Sequence, residues 1–561
     1  MVLYALGYTP AWPRTPHPRD LGVPKVSAAL SPDVIDHFQF AGQDIPWLVS
    51  HWATHKPDHP FLIWEPRDGA ERRWTYAEFE AEITRLAAGL SGRGVTKGDK
   101  VLIHCDNCPE MVLAWYACAK LGAVGVTTNT RSAGPEIEYF ASHVGCVGAV
   151  TQPRFARLVA EHARDLSWIV VTQDNSGEPA SEAERTHGLD PFESLLVDAG
   201  DCPRREADPM APAGIMYTSG TTSRPKAVVH THANALWASR VGPINIDMQG
   251  DDTYLVYLPF FHVNAQSWST WSTLGAGGTV VLQPKFSSSR FWEVVTKHDV
   301  THISLIPFVF KALGDQPVPE HKLKVGVFGL VMPALERWLG IRILAAWGMT
   351  ETVIHATRND YLQTYPDGSM GKPTPGYEFA IVDPATGEPC LSGETGELWV
   401  RGRRGIQLFL EYYDNDEAMQ KAFTEDGWFK TGDLVALGAE GNFFYKERDK
   451  DALKVGGENV SAREVEDCCR AVGGIADLAV VGQKHEMLDQ VPVVFVIRGP
   501  DAPASESEHA EAILDACRKQ LADFKVPRAV YFRESFPVAT LDKVAKNQLR
   551  DIADTLADEA G

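Results

Sequence analysis

A chain of 561 residues is longer than one hydrophobic core usually organises, so a large domain with at least one smaller companion is expected. Asp and Glu outnumber Lys and Arg by 74 to 53, a formal charge of -21, which disfavours non-specific attraction to nucleic acid or anionic membranes and means that an anionic ligand will need a local basic pocket. With 44% hydrophobic and 23% charged residues, the composition excludes a disordered or fibrous class.

Residues 1–45 read as an irregular leader. Its VLYAL run is short, lacks a basic flank and enters the proline-rich TPAWPRTPHPRDLGVP, so a signal peptide is not expected. Helical periodicity in IPWLVSHWATH and FEAEITRLAAGLSGRG then alternates with β-rich runs, KVLIHC and GAVGVTT first, followed by SWIVVT, GIMYTS, TYLVYLP, GTVVLQ, HISLIP and IRILAAWG. Several of these runs are almost wholly apolar, as strands covered on both faces are, and the alternation predicts an α/β fold of layered, mostly parallel sheets. From residue 374 the texture turns to hairpin signals (YEFAIVDPATGEPC, ETGELWVRG, GNFFYKERD), predicting a β-rich subdomain over 374–447 within a large domain spanning 46–447. Residues 448–450 are read as a hinge and 451–561 as a small, mobile α+β domain, with helices at AREVEDCCRAV and HAEAILDACRKQLADF and strands at DLAVVGQ and PVVFVIR.

No apolar run approaches the roughly 20 residues of a membrane span. The nine cysteines are scattered and odd in number, which argues against a disulfide framework and for a reducing, cytoplasmic setting. Cys105 and Cys108 form a C-x2-C without a second Cys/His pair at zinc-like spacing, so two ordinary thiols are expected there.

Three segments stand out. YTSGTTSRPK, Tyr217 to Lys226, follows an apolar strand. Its small hydroxylated residues (Thr218, Ser219, Thr221, Thr222) and Gly220 allow a tight loop whose N–H and hydroxyl groups wrap a polyphosphate, and Lys226 adds compact positive charge. It is not a Walker A loop, since Pro225 precedes the lysine and Ala227 follows it. WGMTET, Trp347 to Thr352, carries one carboxylate, Glu351, which taken alone assigns no ligand. WFKTGD, Trp428 to Asp433, would by itself read as a turn, with Gly432 permitting close backbone approach.

Together these segments, in this order and spread over nearly the whole chain from Trp47, resemble the adenylate-forming enzymes: AMP-forming acyl-CoA synthetases, amino-acid adenylation domains and firefly-type luciferases. The resemblance implies an ATP-dependent ligase that makes an acyl-adenylate with release of pyrophosphate, then an acyl-CoA with release of AMP. It implies ATP, Mg²⁺ and coenzyme A, and a site in which Thr350 bonds a phosphate oxygen, Glu351 holds the metal and Trp347 replaces the usual adenine-stacking tyrosine. Gly329, Gly348 and Met349 would border the nucleotide, and Asp433 and Arg448 would hold its ribose. Lys450 falls on the hinge about which the small domain of such enzymes rotates; Lys454, Gly456 and Gly457 would meet the pantetheine arm. In FPVATLDKVAKNQLR, Lys543 takes the catalytic place, its ammonium bridging the acid's carboxylate and the α-phosphate. The residue before it, usually Gly, is Asp542, and Lys546 is the rival assignment.

The acyl pocket is expected among LPFFHVNAQSWSTW, SLIPF and VFGLVM, with Phe261, Asn264, Trp268 and Leu330 as lining and His262 either bordering the acid's carboxylate or serving as a structural histidine. Val263 and Asn264 stand where amino-acid-activating relatives usually place an Asp, which disfavours an α-amino acid. The motif details look most like the carnitine/crotonobetaine-CoA ligase type. Trp268 and Trp271 would suit a quaternary ammonium by cation–π contact or an apolar chain by packing, so carnitine-like, fatty, aromatic and steroid side-chain acids stay open. A luciferase-like oxidase and a catalytically silent nucleotide binder are the alternatives to a ligase. Partners are thus small molecules, without nucleic acid, and a homodimer is compatible with the reading.

Overall fold

The computed structural model describes residues 32–184, 188–218, 224–314, 316–360, 363–384, 386–448, 452–537, 544 and 546–560. Two large sheets organise the first four hundred. One is nine-stranded: six parallel strands (Pro60–Trp64, Thr279–Leu282, Thr253–Val256, His302–Ser304, Val325–Phe328, Arg342–Trp347) with antiparallel additions at both edges. The other is eight-stranded and centred on parallel Lys100–His104, Val124–Thr127 and Cys146–Thr151. Their near-continuous apolar runs are accounted for by cover on both faces. The helices Tyr76–Gly92, Pro109–Leu121 and His232–Ile246 fill the space between the sheets in one core, while further helices cover the outer faces in separate clusters.

Local sequence explains the joints. Thr75 and Glu78 close a reciprocal capping box, at 3.2 Å and 2.8 Å, that starts the Tyr76–Gly92 helix. Trp115 is fully buried, and a Cβ on Gly125 would lie 2.5 Å from its ring, so the strand glycine is what lets the helix seat against the sheet. Between the thiols Cys105 and Cys108, both buried, Asn107 donates to the Leu258 and Gln283 carbonyls (2.9 and 3.1 Å) and accepts from Phe260 N (2.7 Å). The C-x2-C stretch thereby holds the LPFFH loop in place.

One element departs from the sequence reading. Pro32–Phe38, within the stretch read as irregular leader, is a helix; Ile35 and Phe38 pack on the main core, and proline at the start of the segment is compatible with a first helical turn. A seven-residue helix carries too few periodic positions to stand out by pattern. Residues 378–448 form a four-stranded antiparallel sheet, and 452–532 a five-stranded sheet with its own core. Among the described residues no helix is long and apolar enough to cross a membrane.

Candidate functional site

Strand Pro212–Thr218 pairs antiparallel with Lys226–Thr231, and Thr218 faces Lys226 across the register. The phosphate-cradle loop thus leaves and re-enters the sheet at those two residues; Ser219, Gly220, Thr221 and Thr222 themselves lie outside the described residues. Lys226 Nζ lies 4.5 Å from the centre of the Tyr412 ring, a cation–π distance. Tyr412 in turn donates its hydroxyl to Glu351 Oε1 at 2.8 Å. The lysine and the carboxylate, 125 positions apart in sequence, are therefore joined through one tyrosine that sequence reasoning did not single out. Its short strand, Glu411–Tyr412, pairs with Val228–Val229, a long-range pairing that leaves no local pattern.

Glu351 is 4% exposed and sits in a single 3-10 turn, Thr350–Thr352. Met349 N donates to Thr352 Oγ1 at 2.9 Å, and His230 Nε2 donates to the Thr350 carbonyl at 2.8 Å. Burial pushes the His230 imidazole down to about 4, so this histidine stays neutral and acts as a fixed donor. The next residue, Val353, has φ 66° and ψ -56°, and Ile354 N donates to Thr352 O at 2.7 Å. That is a γ-turn of the strained hand on a β-branched residue, a cost of about 1–3 kcal/mol. It is held by complete burial of Val353 and by Ser267 Oγ donating to its carbonyl at 2.6 Å. Strain here turns the chain sharply just past the carboxylate, keeping Glu351 aimed inward.

Trp347 ends its strand with the indole N–H donating to Asp433 Oδ2 at 2.9 Å, both residues buried. Asp433 is placed by the 378–448 sheet, where Arg448 is its register partner; Gly432, at φ 74°, donates its N–H to Glu397 Oε1. One carboxylate thereby links the nine-stranded sheet to the 378–448 sheet. Lys450 and Lys543 lie outside the described residues, and of Arg448 only the backbone is described. Lys546, the rival to Lys543, is paired with Glu466 Oε1 at 2.8 Å. Gly329 is exposed, with nothing within 4 Å of an added Cβ.

The segment expected to line the acyl pocket begins at Phe261 and His262, whose rings are 4.4 Å apart, and continues in a π-helix, Asn264–Trp271, a geometry frequent at functional sites. An added Cβ on Gly348 would stand 2.8 Å from Trp268, whose ring also lies 4.6 Å from that of His355. Trp271, by contrast, is fully buried beside Trp115 and His230. Both tryptophans considered for a cationic substrate belong to the buried core, and Trp268 is the one that borders Gly348. Leu330 packs between the two main cores.

A hairpin from the C-terminal sheet closes the site. Strands Ala452–Val455 and Glu458–Ser461 turn through Gly456 and Gly457, at φ 59° and 91°, the two-residue turn for which consecutive glycines are suited. An added Cβ on Gly457 would lie 3.4 Å from Ile306, and Glu458 Oε1 lies 2.9 Å from His262 Nε2. Burial opposes the imidazolium, yet the adjacent carboxylate outweighs it and raises the His262 pKa; Glu458 is likewise held below the usual carboxylate range against its own burial. Lys454 stays exposed, its ammonium over the Tyr445 ring.

Comparison with known proteins adds independent evidence. The family model described as AMP-binding enzyme matches residues 49–413, and that of the AMP-binding enzyme C-terminal domain matches 464–543. The chain belongs to the AMP-binding enzymes. As such it is 32% identical over 524 residues to a crotonobetaine/carnitine–CoA ligase of Salmonella typhi, covering 91% of this chain and 99% of that one. Among solved structures it resembles a double mutant of the o-succinylbenzoate CoA synthetase of Bacillus subtilis bound with a CoA product analogue (27% identity, 90% and 98% of the two chains, TM-score 0.75). The Bacillus subtilis synthetase in complex with ATP and magnesium ion matches at 27% identity over 90% and 99% of the chains with a TM-score of 0.63.

Proposed function

We infer that this AMP-binding enzyme joins a carboxylic acid to coenzyme A: it activates the acid with ATP as an acyl-adenylate, releasing pyrophosphate, and then passes the acyl group to the CoA thiol, releasing AMP. The observation that carries the reading is the Gly456–Gly457 hairpin seated against the acyl wall, with Glu458 on His262 at 2.9 Å. A small domain that only capped a nucleotide would have no need to present a side-chain-free turn there. Such a turn leaves room for a thin pantetheine arm beside the acyl carbon. The greater likeness to the CoA-analogue-bound relative than to the ATP-bound one, 0.75 against 0.63, supports this arrangement as the acyl-transferring one.

In the first step Lys226 and the cradle residues Ser219 to Thr222 would hold the phosphates, with the acid's carboxylate beside His262. Glu351 is the buried carboxylate suited to Mg²⁺, which takes one or two carboxylates together with substrate phosphates and, when bound, neutralises charge at the displaced pyrophosphate. Tyr412 bonds one of its oxygens and leaves the other for the ion. Asp433 and Arg448 anchor the ribose while Trp347 is fixed against Asp433. Lys543 supplies positive charge where the carboxylate attacks the α-phosphorus; the engagement of Lys546 by Glu466 supports that choice. Rotation about Lys450 then exchanges that lysine for the hairpin, and His262 passes from the substrate carboxylate to Glu458. The nine cysteines, all free thiols, suit a reducing compartment such as the cytoplasm. The acid is a carnitine-like, fatty, aromatic or steroid side-chain carboxylic acid.

A panel of acids assayed for AMP release, with and without CoA, tests the reaction: acid-dependent AMP and a CoA thioester are expected, and ATP converted to ADP would overturn it. Lys543→Ala is expected to abolish adenylate formation while pre-formed acyl-AMP still reacts with CoA. Equal loss of both steps would remove the lysine from its assigned role.

A further inference from the structure

A second contact between the C-terminal region and the body lies away from the reacting groups. Lys525 is 5% exposed, yet its ammonium is flanked by Glu136 Oε1 at 2.6 Å and Glu464 Oε1 at 2.9 Å. The two carboxylates come from different bodies. Glu464 is in the Ala462–Arg470 helix of the same small sheet-and-helix unit as Lys525, whereas Glu136 is in the Gly134–His143 helix, outside the eight-stranded sheet. Around this triad Arg131 pairs with Asp523 at 2.6 Å and lies over the Phe524 ring, while Asn129 Nδ2 donates to Glu458 Oε1 at 3.4 Å. The same short stretch, 129–136, thus touches both the triad and the active-site hairpin.

We propose that Lys525 is a positioning residue for acyl transfer: a buried charged peg that enters the Glu136 site only in the arrangement that seats the Gly456–Gly457 hairpin. The reasoning is electrostatic. A Lys–Glu pair buried on both sides gains little net stability over an apolar contact, because desolvation offsets the attraction, but a buried charge left without its partner is strongly destabilising. A misdocked small domain would bury Glu136 without its ammonium, so the contact discriminates among dockings more than it strengthens any one. Glu464 keeps the ammonium paired when the domain rotates away, which lowers the cost of each release. Burial opposes the charge on Lys525, but Glu136 and Glu464 together raise its pKa in the docked arrangement. Glu136 is itself fixed, its other oxygen accepting from Ala133 N at 2.9 Å.

The proposal rests on the two-step reading above, so its test includes a readout that needs no activity. Glu136→Gln keeps the local cap and removes only the charge facing Lys525. Adenylate formation is expected to stay within about twofold of the unmodified enzyme, while transfer from pre-formed acyl-AMP to CoA slows about tenfold. Separately, Arg131→Cys with Asp523→Cys places thiols at two exposed, adjacent positions for a short bismaleimide, and the cross-linking rate reports the docked population. Adding Glu136→Gln is expected to lower that rate severalfold, and Glu464→Gln, which retains the cross-interface pair, to lower it less. Equal slowing of both half-reactions, or a cross-linking rate unchanged by Glu136→Gln, would overturn the peg. An enzyme that makes no acyl-CoA would count against the two-step reading, and the cross-linking comparison would still decide the peg.

Discussion

The two halves of the site are built in opposite ways. On the nucleotide side Glu351, Asp433 and Trp347 are buried, bonded to Tyr412 or to one another, and backed by a strained turn at Val353. On the side proposed for acyl transfer the hairpin meets the body at its tip, where Glu458 lies 2.9 Å from His262 and 3.4 Å from Asn129, with Gly457 and Lys454 exposed. The first is a preorganised surface whose parts cannot move independently. The second is a docking contact of small net stability, because desolvation of the paired groups offsets their attraction. An enzyme that must present two chemistries to one acyl carbon needs this asymmetry: charge stabilisation requires fixed dipoles, whereas alternation requires an interface of low net stability.

The sharpest way to break that comparison is Glu351→Gln. It keeps the Tyr412 bond but removes the charge, so the fold should persist while acid-dependent pyrophosphate exchange falls by roughly 10²–10³-fold. A loss below tenfold, or an equal loss in transfer from pre-formed acyl-AMP, would mean the carboxylate is structural. Gly457→Ala probes the other half: an alanine at positive φ costs about 1–2 kcal/mol, and its Cβ would press on Ile306 at 3.4 Å. Transfer should slow about tenfold with pyrophosphate exchange unchanged; loss of exchange instead would show that the hairpin is not a separate device.

The smallest effect concerns pH. The His262 pKa is raised by Glu458 in the docked arrangement, so the pair favours docking fully below the ordinary imidazole range and loses that contribution as pH rises through the raised value. The depressed Glu458 pKa sets the opposite limit: its contribution is present above the ordinary carboxylate range and lost as pH falls through the lowered value. Docking, read by the rate of cross-linking between positions 131 and 523 divided at each pH by the rate at which a small free thiol couples to the same maleimide, should therefore decline two- to threefold between about pH 6 and about pH 8.5. Glu458→Gln should flatten the profile, and an unchanged profile would refute the link.

Much of the fold was readable because its strands are short apolar runs bounded by turn residues, and such runs report burial directly. The helix at Ile45–His55 and the strands at Lys100–His104 and Arg342–Trp347 fall where periodicity puts them. The helix at Pro32–Phe38 did not show, being too short to display a period. At the site, Glu351 and Asp433 stood out because their chemistry is carried within contiguous motifs. Tyr412, Asn107 and His230 did not, because each acts on residues more than 60 positions away.

The sequence by itself determined the α/β class and the succession of motifs whose resemblance to adenylate-forming enzymes implies the reaction, since each motif is a local choice of residue type. Only the tertiary structure decided which groups meet: that one tyrosine joins Lys226 to Glu351, that Trp268 rather than Trp271 borders Gly348, and that Lys525 is shared between two bodies. Side-chain chemistry is written residue by residue, whereas distance, burial and the pairing of charges arise from the packing of the whole chain.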